Sequence, residues 1–131
     1  MRNTPILETI FWQHVRSPDR ALDWYTGVLG LRDTGRRIGD GTPVLEVPGQ
    51  GAMAVALTVT GLENPKTHGI LDLRTSDIDE AHRVLTSRGE NVTPIDNIFD
   101  NYYEFHVTDP EGHMIKIHSF ADTGSLGGHR R

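Results

Sequence analysis

Cysteine is missing from all 131 residues, so disulfides, thiolate metal sites and cysteine nucleophiles are excluded. No stretch approaches the ~18 consecutive apolar residues of a membrane-spanning helix. The opening Met1-Arg2-Asn3-Thr4-Pro5 lacks the apolar run of a secretory signal, and a cytoplasmic address is the expectation. Positive charge is also scarce: Lys and Arg total 13 against 18 Asp and Glu, a formal net charge of -5. A nucleic-acid binder normally presents a basic face, so neither nucleic acid nor membrane is expected as a partner. At 36% hydrophobic and 24% charged residues, the chain can still build one core under a polar surface.

Residues 6–15 are rich in β-formers (Ile6, Leu7, Thr9, Ile10, Phe11, Trp12, Val15) and read as a first strand. Ser17-Pro18-Asp19 then supplies a helix N-cap, a proline for the first helical position and an early acid. Leu22, Tyr25, Val28 and Leu29 make an apolar stripe at helical spacing, and Gly30 stops it. Short strands follow around 36–38, 43–47 and 52–59, punctuated by Gly39-Asp40-Gly41 and Pro48-Gly49-Gln50-Gly51. The plan then repeats. Residues 69–75 read as a strand, Ser76 as a helix cap, and Ile78, Ala81, Val84 and Leu85 as a buried stripe ended by Gly89. Each helical unit runs from cap to glycine over the same number of residues. Strands near 92–99, 102–107 and 113–120 complete the second half, with Asp109-Pro110-Glu111-Gly112 turning the last two. The expected class is α+β, a βαβββ unit stated twice. The expected boundaries are a lead over 1–5, one domain over 6–120 built from modules 6–60 and 68–120, and a flexible Gly- and Ser-rich tail over 121–131.

Strand alternation sorts side chains onto two faces. In the second half Leu71, Leu73, Tyr103, Phe105, Val107, Ile115 and Ile117 make an apolar face for the helix. The opposite face gathers Ile70, Asp72, Arg74, Tyr102, Glu104, His106, Met114, Lys116 and His118. In the first half Ile10, Trp12 and His14 share a face, as do Ala54, Ala56 and Thr58. The small run Ala52, Ala54, Ala56 would leave space above its strand. A polar sheet face is ordinarily solvated surface, but aromatic residues beside convergent polar groups also line pockets.

Three segments resemble the vicinal oxygen chelate superfamily of glyoxalases, bleomycin-resistance proteins and extradiol dioxygenases. They are Ala21-Leu22-Asp23-Trp24-Tyr25 with Val28-Leu29-Gly30-Leu31, then Ser76-Asp77-Ile78-Asp79-Glu80-Ala81, then Asp109-Pro110-Glu111-Gly112-His113. The resemblance covers nearly all of residues 6–120. It implies that the paired modules curl into a half-barrel cleft, commonly within a homodimer. It also implies four metal-ligand positions, near Ile10, Ala56, Ile70 and Lys116. None of these side chains suits a divalent cation, since three are hydrocarbon and the fourth is cationic. The usual metal site is therefore expected to be lost, and no cofactor is expected.

The leading expectation is a protein that binds a small organic molecule without a metal. Trp12 and Tyr102 would stack on the ligand, while His14, Asp72, Arg74, Glu104, Lys116 and His118 would orient its polar groups. One alternative is a metal-free enzyme, a lyase or isomerase, with His14 as general base and Lys116 as electrostatic stabiliser. Another is a lyase or dioxygenase with a displaced divalent metal held by ligands from among His14, Asp72, Glu104, His106 and His118. Against that, Asp72 with Lys116 or His118 reads as a structural ion pair between neighbouring strands. A structural or regulatory interaction domain is the remaining alternative.

Overall fold

A computed structural model describes residues 7–39, 41–49, 53–59 and 69–121. Two compact units divide the chain, Met1–His68 and Gly69–Arg131. The expected lead over 1–5 and all but Ala121 of the expected tail lie outside the described residues.

In the first unit β1 (Thr9–His14), α1 (Pro18–Gly27), β2 (Arg32–Ile38), β3 (Thr42–Glu46) and β4 (Met53–Thr58) follow in order. They form one mixed sheet in the order β1-β4-β3-β2, with β1 parallel to β4 and the other pairs antiparallel. Ser17 caps α1 by accepting from the Arg20 N–H, and Pro18 sits at the helix start as its ring geometry favours. The helix buries Ala21, Trp24 and Tyr25, with Leu22, Val28 and Leu29 only half-buried. The buried face is thus rotated from the expected stripe, because Ala21, Trp24 and Tyr25 satisfy the same three-and-four spacing. Strand β2 begins at Arg32 rather than Arg36. A register shift between Asp33 and Arg37, where Gly35 takes φ +81°, splits a longer strand than local propensity suggests.

The second unit repeats the plan with β5 (Asp72–Arg74), α2 (Ile78–Ser87), β6 (Asp96–Phe99), β7 (Tyr102–Thr108) and β8 (Met114–Phe120). Its sheet order is β5-β8-β7-β6, with β5 parallel to β8. The expected Ser76 cap is corrected to Asp77, whose extended backbone lets Oδ1 accept from the Glu80 N–H at 3.1 Å. Helices α1 and α2 have the same length, and Gly30 and Gly89 after them share φ +78°. That left-handed conformation is nearly strain-free only for glycine. Beneath α2 lie Leu71, Tyr103, Phe105, Val107, Ile115 and Ile117, all buried, against Ile78 and Leu85. Burying side chains of this size stabilises by roughly 1.5–3 kcal/mol each. Strand β5 is shorter than expected. Only Asp72, Leu73 and Arg74 pair with β8, and Ile70 lies outside the strand, exposed.

Candidate functional site

Alternation along β5, β7 and β8 leaves their even-numbered side chains on the sheet face away from α2. Strand register sets their spacing: Asp72 lies opposite Lys116, Arg74 opposite His118, Glu104 opposite His118, His106 opposite Lys116 and Tyr102 opposite Phe120. Six residues expected at a site, Asp72, Arg74, Tyr102, Glu104, Lys116 and His118, are joined there by direct or shared contacts.

At the centre His118 Nδ1 lies 2.6 Å from Asp72 Oδ1. An ionised carboxylate only accepts, so Nδ1 carries the proton and donates. The other ring nitrogen, Nε2, has no partner among the described residues and is not sealed from water. The His118 ring stacks on Tyr102 with centroids 5.3 Å apart and planes 22° apart. Burial, then the nearby carboxylates of Asp72 and Glu104, push the Tyr102 phenol up to about 12. It therefore stays protonated and acts as a donor. Glu104 is held between His106 Nε2 at 3.3 Å and Lys116 Nζ at 3.6 Å. Of the two expected partners for Asp72, the structure selects His118, while Lys116 turns to Glu104.

Phe120 completes an aromatic platform. It meets Tyr102 and His118 edge-on at centroid distances of 5.3 and 5.5 Å. The Arg74 guanidinium lies 5.0 Å above its ring. Phe99, 66% exposed, extends the platform past Tyr102 at 5.9 Å. Neither phenylalanine was among the expected site residues, although Phe120 has the same strand parity as Lys116 and His118. Next to this face, Thr93, Asp96, Glu104, Phe105 and His106 line a cavity of about 340 Å³.

The other two expected residues, Trp12 and His14, belong to the first unit. They share the face of β1 that also carries Ile10, in register with Ala56 and Thr58 of β4. Trp12 is 43% exposed and, with Pro18, Ile38, Thr42 and Thr58, lines a cavity of about 500 Å³. His14 is half-buried. Ala54 and Ala56 are buried, so the strand floor there is covered rather than open, contrary to the expectation from their small size. Ala52 lies outside the described residues.

The model of the Glyoxalase/Bleomycin resistance protein/Dioxygenase superfamily matches residues 10–117. The chain belongs to this superfamily. Its paired βαβββ units are the architecture of that family, as expected. Among solved structures, TnmS3, an antibiotic binding protein from Streptomyces sp. CB03234, is similar at 22% identity, covering 90% of this chain and 99% of that one, with a TM-score of 0.75. A superfamily member from Sphaerobacter thermophilus DSM 20745 is 25% identical over 88% of this chain and 98% of its own, with a TM-score of 0.71. TioX from Micromonospora sp. ML1 is 24% identical over 86% and 98%, with a TM-score of 0.69. A comparison with curated proteins gave no match.

The superfamily includes metal-dependent enzymes, so the donor set matters. At the four positions where the resemblance places ligands, Ile10 and Ile70 are hydrocarbon, Ala56 is a buried methyl and Lys116 is a cation paired with Glu104. These side chains do not fit a divalent ion. Among the described residues, no group of three or more His, Asp or Glu side chains converges as a metal cage. Also among the described residues, no helix is long and apolar enough to cross a membrane.

Proposed function

We propose that this chain binds a small organic molecule on the aromatic and charged face of its second sheet, without a divalent metal. The observation that carries this reading is the stacked Tyr102–His118 pair, flanked by Phe120 and surrounded by Asp72, Arg74, Glu104 and Lys116. Flat rings supply contact area at little entropic cost, and a few fixed polar groups set ligand orientation. Two carboxylates and two cations leave the cluster formally neutral while its histidines are neutral, so the placement of individual charged groups, rather than net charge, would orient a ligand. The similarity to TnmS3, itself an antibiotic binding protein, is consistent with this reading. A cytoplasmic homodimer is the assembly proposed with this reading.

A thermal-shift screen of small planar compounds on the wild type and a Tyr102→Ala variant tests the proposal. Compounds that raise Tm in the wild type and fail to do so in the variant support it. Binders that ignore Tyr102→Ala, with circular dichroism showing the variant folded, would overturn the assignment to this face.

A further inference from the structure

We infer that the site takes a planar carboxylate bearing an adjacent hydrogen-bond donor, gripped between Arg74 and His118 above Phe120. This inference rests on the small-molecule reading of the same face and narrows the ligand class.

The geometry offers complementary groups. Arg74 and His118 are register partners on adjacent strands, and both lie against the Phe120 ring, the guanidinium at 5.0 Å and the imidazole at 5.5 Å. Among the described residues Arg74 makes no ion pair, whereas Lys116 on the same face is bound to Glu104. Arg74 is therefore the cation on this face whose charge no described carboxylate answers. A guanidinium offers a planar fork of N–H donors that matches a carboxylate bidentately. Resting over an aromatic ring, it keeps its edge available and favours ligands that continue the flat stack.

His118 supplies the second half of the recognition. Asp72 holds the Nδ1 proton, and in the neutral ring Nε2 is then a lone-pair acceptor without a described partner. An O–H or N–H beside the ligand carboxylate satisfies it. Tyr102, its phenol kept protonated by burial and the two carboxylates, stacks on the imidazole and fixes its plane. A ligand with an acceptor in place of that donor would set two lone pairs against each other, which is how such a site rejects a near-isostere.

The test is a titration followed by amide chemical shifts, with three probes of nearly equal shape: indole-2-carboxylate, benzofuran-2-carboxylate and indole-2-carboxamide. Indole-2-carboxylate should perturb amides of 72–74, 102–106 and 116–120. Its affinity should fall by about tenfold or more in Arg74→Gln, the scale of a lost charge-assisted bond. Benzofuran-2-carboxylate, which lacks the N–H, should bind more weakly to the wild type and no more weakly in His118→Phe. Arg83→Gln, on the exposed side of α2, serves as a charge control and should change nothing. Equal binding of the neutral carboxamide, or no effect of Arg74→Gln, overturns the anion assignment. Equal binding of the two acids to the wild type overturns the role of His118. If none of the probes perturbs these amides while screened compounds still bind through Tyr102, this inference fails and the broader reading stands. If screened compounds also ignore Tyr102, both fail.

Discussion

His118 Nδ1 and Asp72 Oδ1 meet at 2.6 Å across the parallel strands β8 and β5, although their backbones are not register partners. An ionised carboxylate can only accept, so the diagonal contact requires a proton on Nδ1. Nitrogen NMR of the neutral His118 ring should therefore show the Nδ1–H tautomer. Asp72→Asn should remove the charge that holds it and bring in the Nε2–H form, which is the commoner one in free imidazole side chains. A His118 already in the Nε2–H form in the wild type would contradict the described pair.

Tyr102 gives a pH-dependent readout. Its folded phenol holds its proton to about 12, against the ordinary 10.0. The stability this contributes is fully present below about pH 10 and is lost as the pH rises toward 12, where the unfolded chain releases the proton first. Phenolate absorbance in the ultraviolet, wild type minus Tyr102→Phe, should place this group's midpoint well above that of an exposed tyrosine. A midpoint at the ordinary value would mean that neither burial nor the Asp72 and Glu104 carboxylates act on it.

The turn before β8 depends on one carboxylate. Asp109 is buried, accepts from the backbone N–H groups of Glu111 and His113, and meets His113 Nδ1 at 2.8 Å. Asp109→Ala leaves several donors without this acceptor and should cost roughly 2–4 kcal/mol in urea unfolding. A loss under about 0.5 kcal/mol, the level of a neutral surface change, would show that water or neighbouring groups replace it.

A second buried pair tests the first unit. Gln13 Nε2 donates to the Tyr25 hydroxyl at 2.8 Å beneath α1, with both side chains almost wholly buried. Tyr25→Phe removes the acceptor while keeping the ring and should destabilise by about 1–2 kcal/mol. Unchanged stability would mean that the amide finds another partner.

These buried contacts mark what strand alternation made legible and what it did not. The apolar face of the second sheet, with Phe105, Val107, Ile115 and Ile117 under α2, followed from parity alone because alternation is a strict consequence of the pleat. So did the common face of Asp72, Tyr102, Glu104, Lys116 and His118. Which of them pair was not legible, since the choice between Lys116 and His118 for Asp72 depends on side-chain reach across a diagonal. The helix faces were less certain. Ala21, Trp24 and Tyr25 satisfy the same spacing as Leu22, Tyr25 and Leu29, and only packing against the sheet decides between them. Gln13 could not be recognised, because a polar residue in a strand reads as solvent-facing until its buried partner is known. Phe120 was within reach of the parity argument. Its role depends on Arg74 reaching over the ring from β5, a contact that parity does not show.

The metal question has its own readout. With Ile10, Ala56, Ile70 and Lys116 where the resemblance places ligands, added zinc or manganese should leave Tm unchanged. A ligand that binds only the folded state must raise it. A saturable rise at micromolar metal would instead indicate a site built from other residues.

The most direct test of the account is calorimetric titration of the best screened compound into protein stripped with a chelator and dialysed, beside the Tyr102→Ala variant. The account predicts that stripping leaves the affinity of the wild type unchanged and that the variant loses most of it. Binding that disappears on stripping and returns with added metal, or that survives Tyr102→Ala intact, would contradict the central claim.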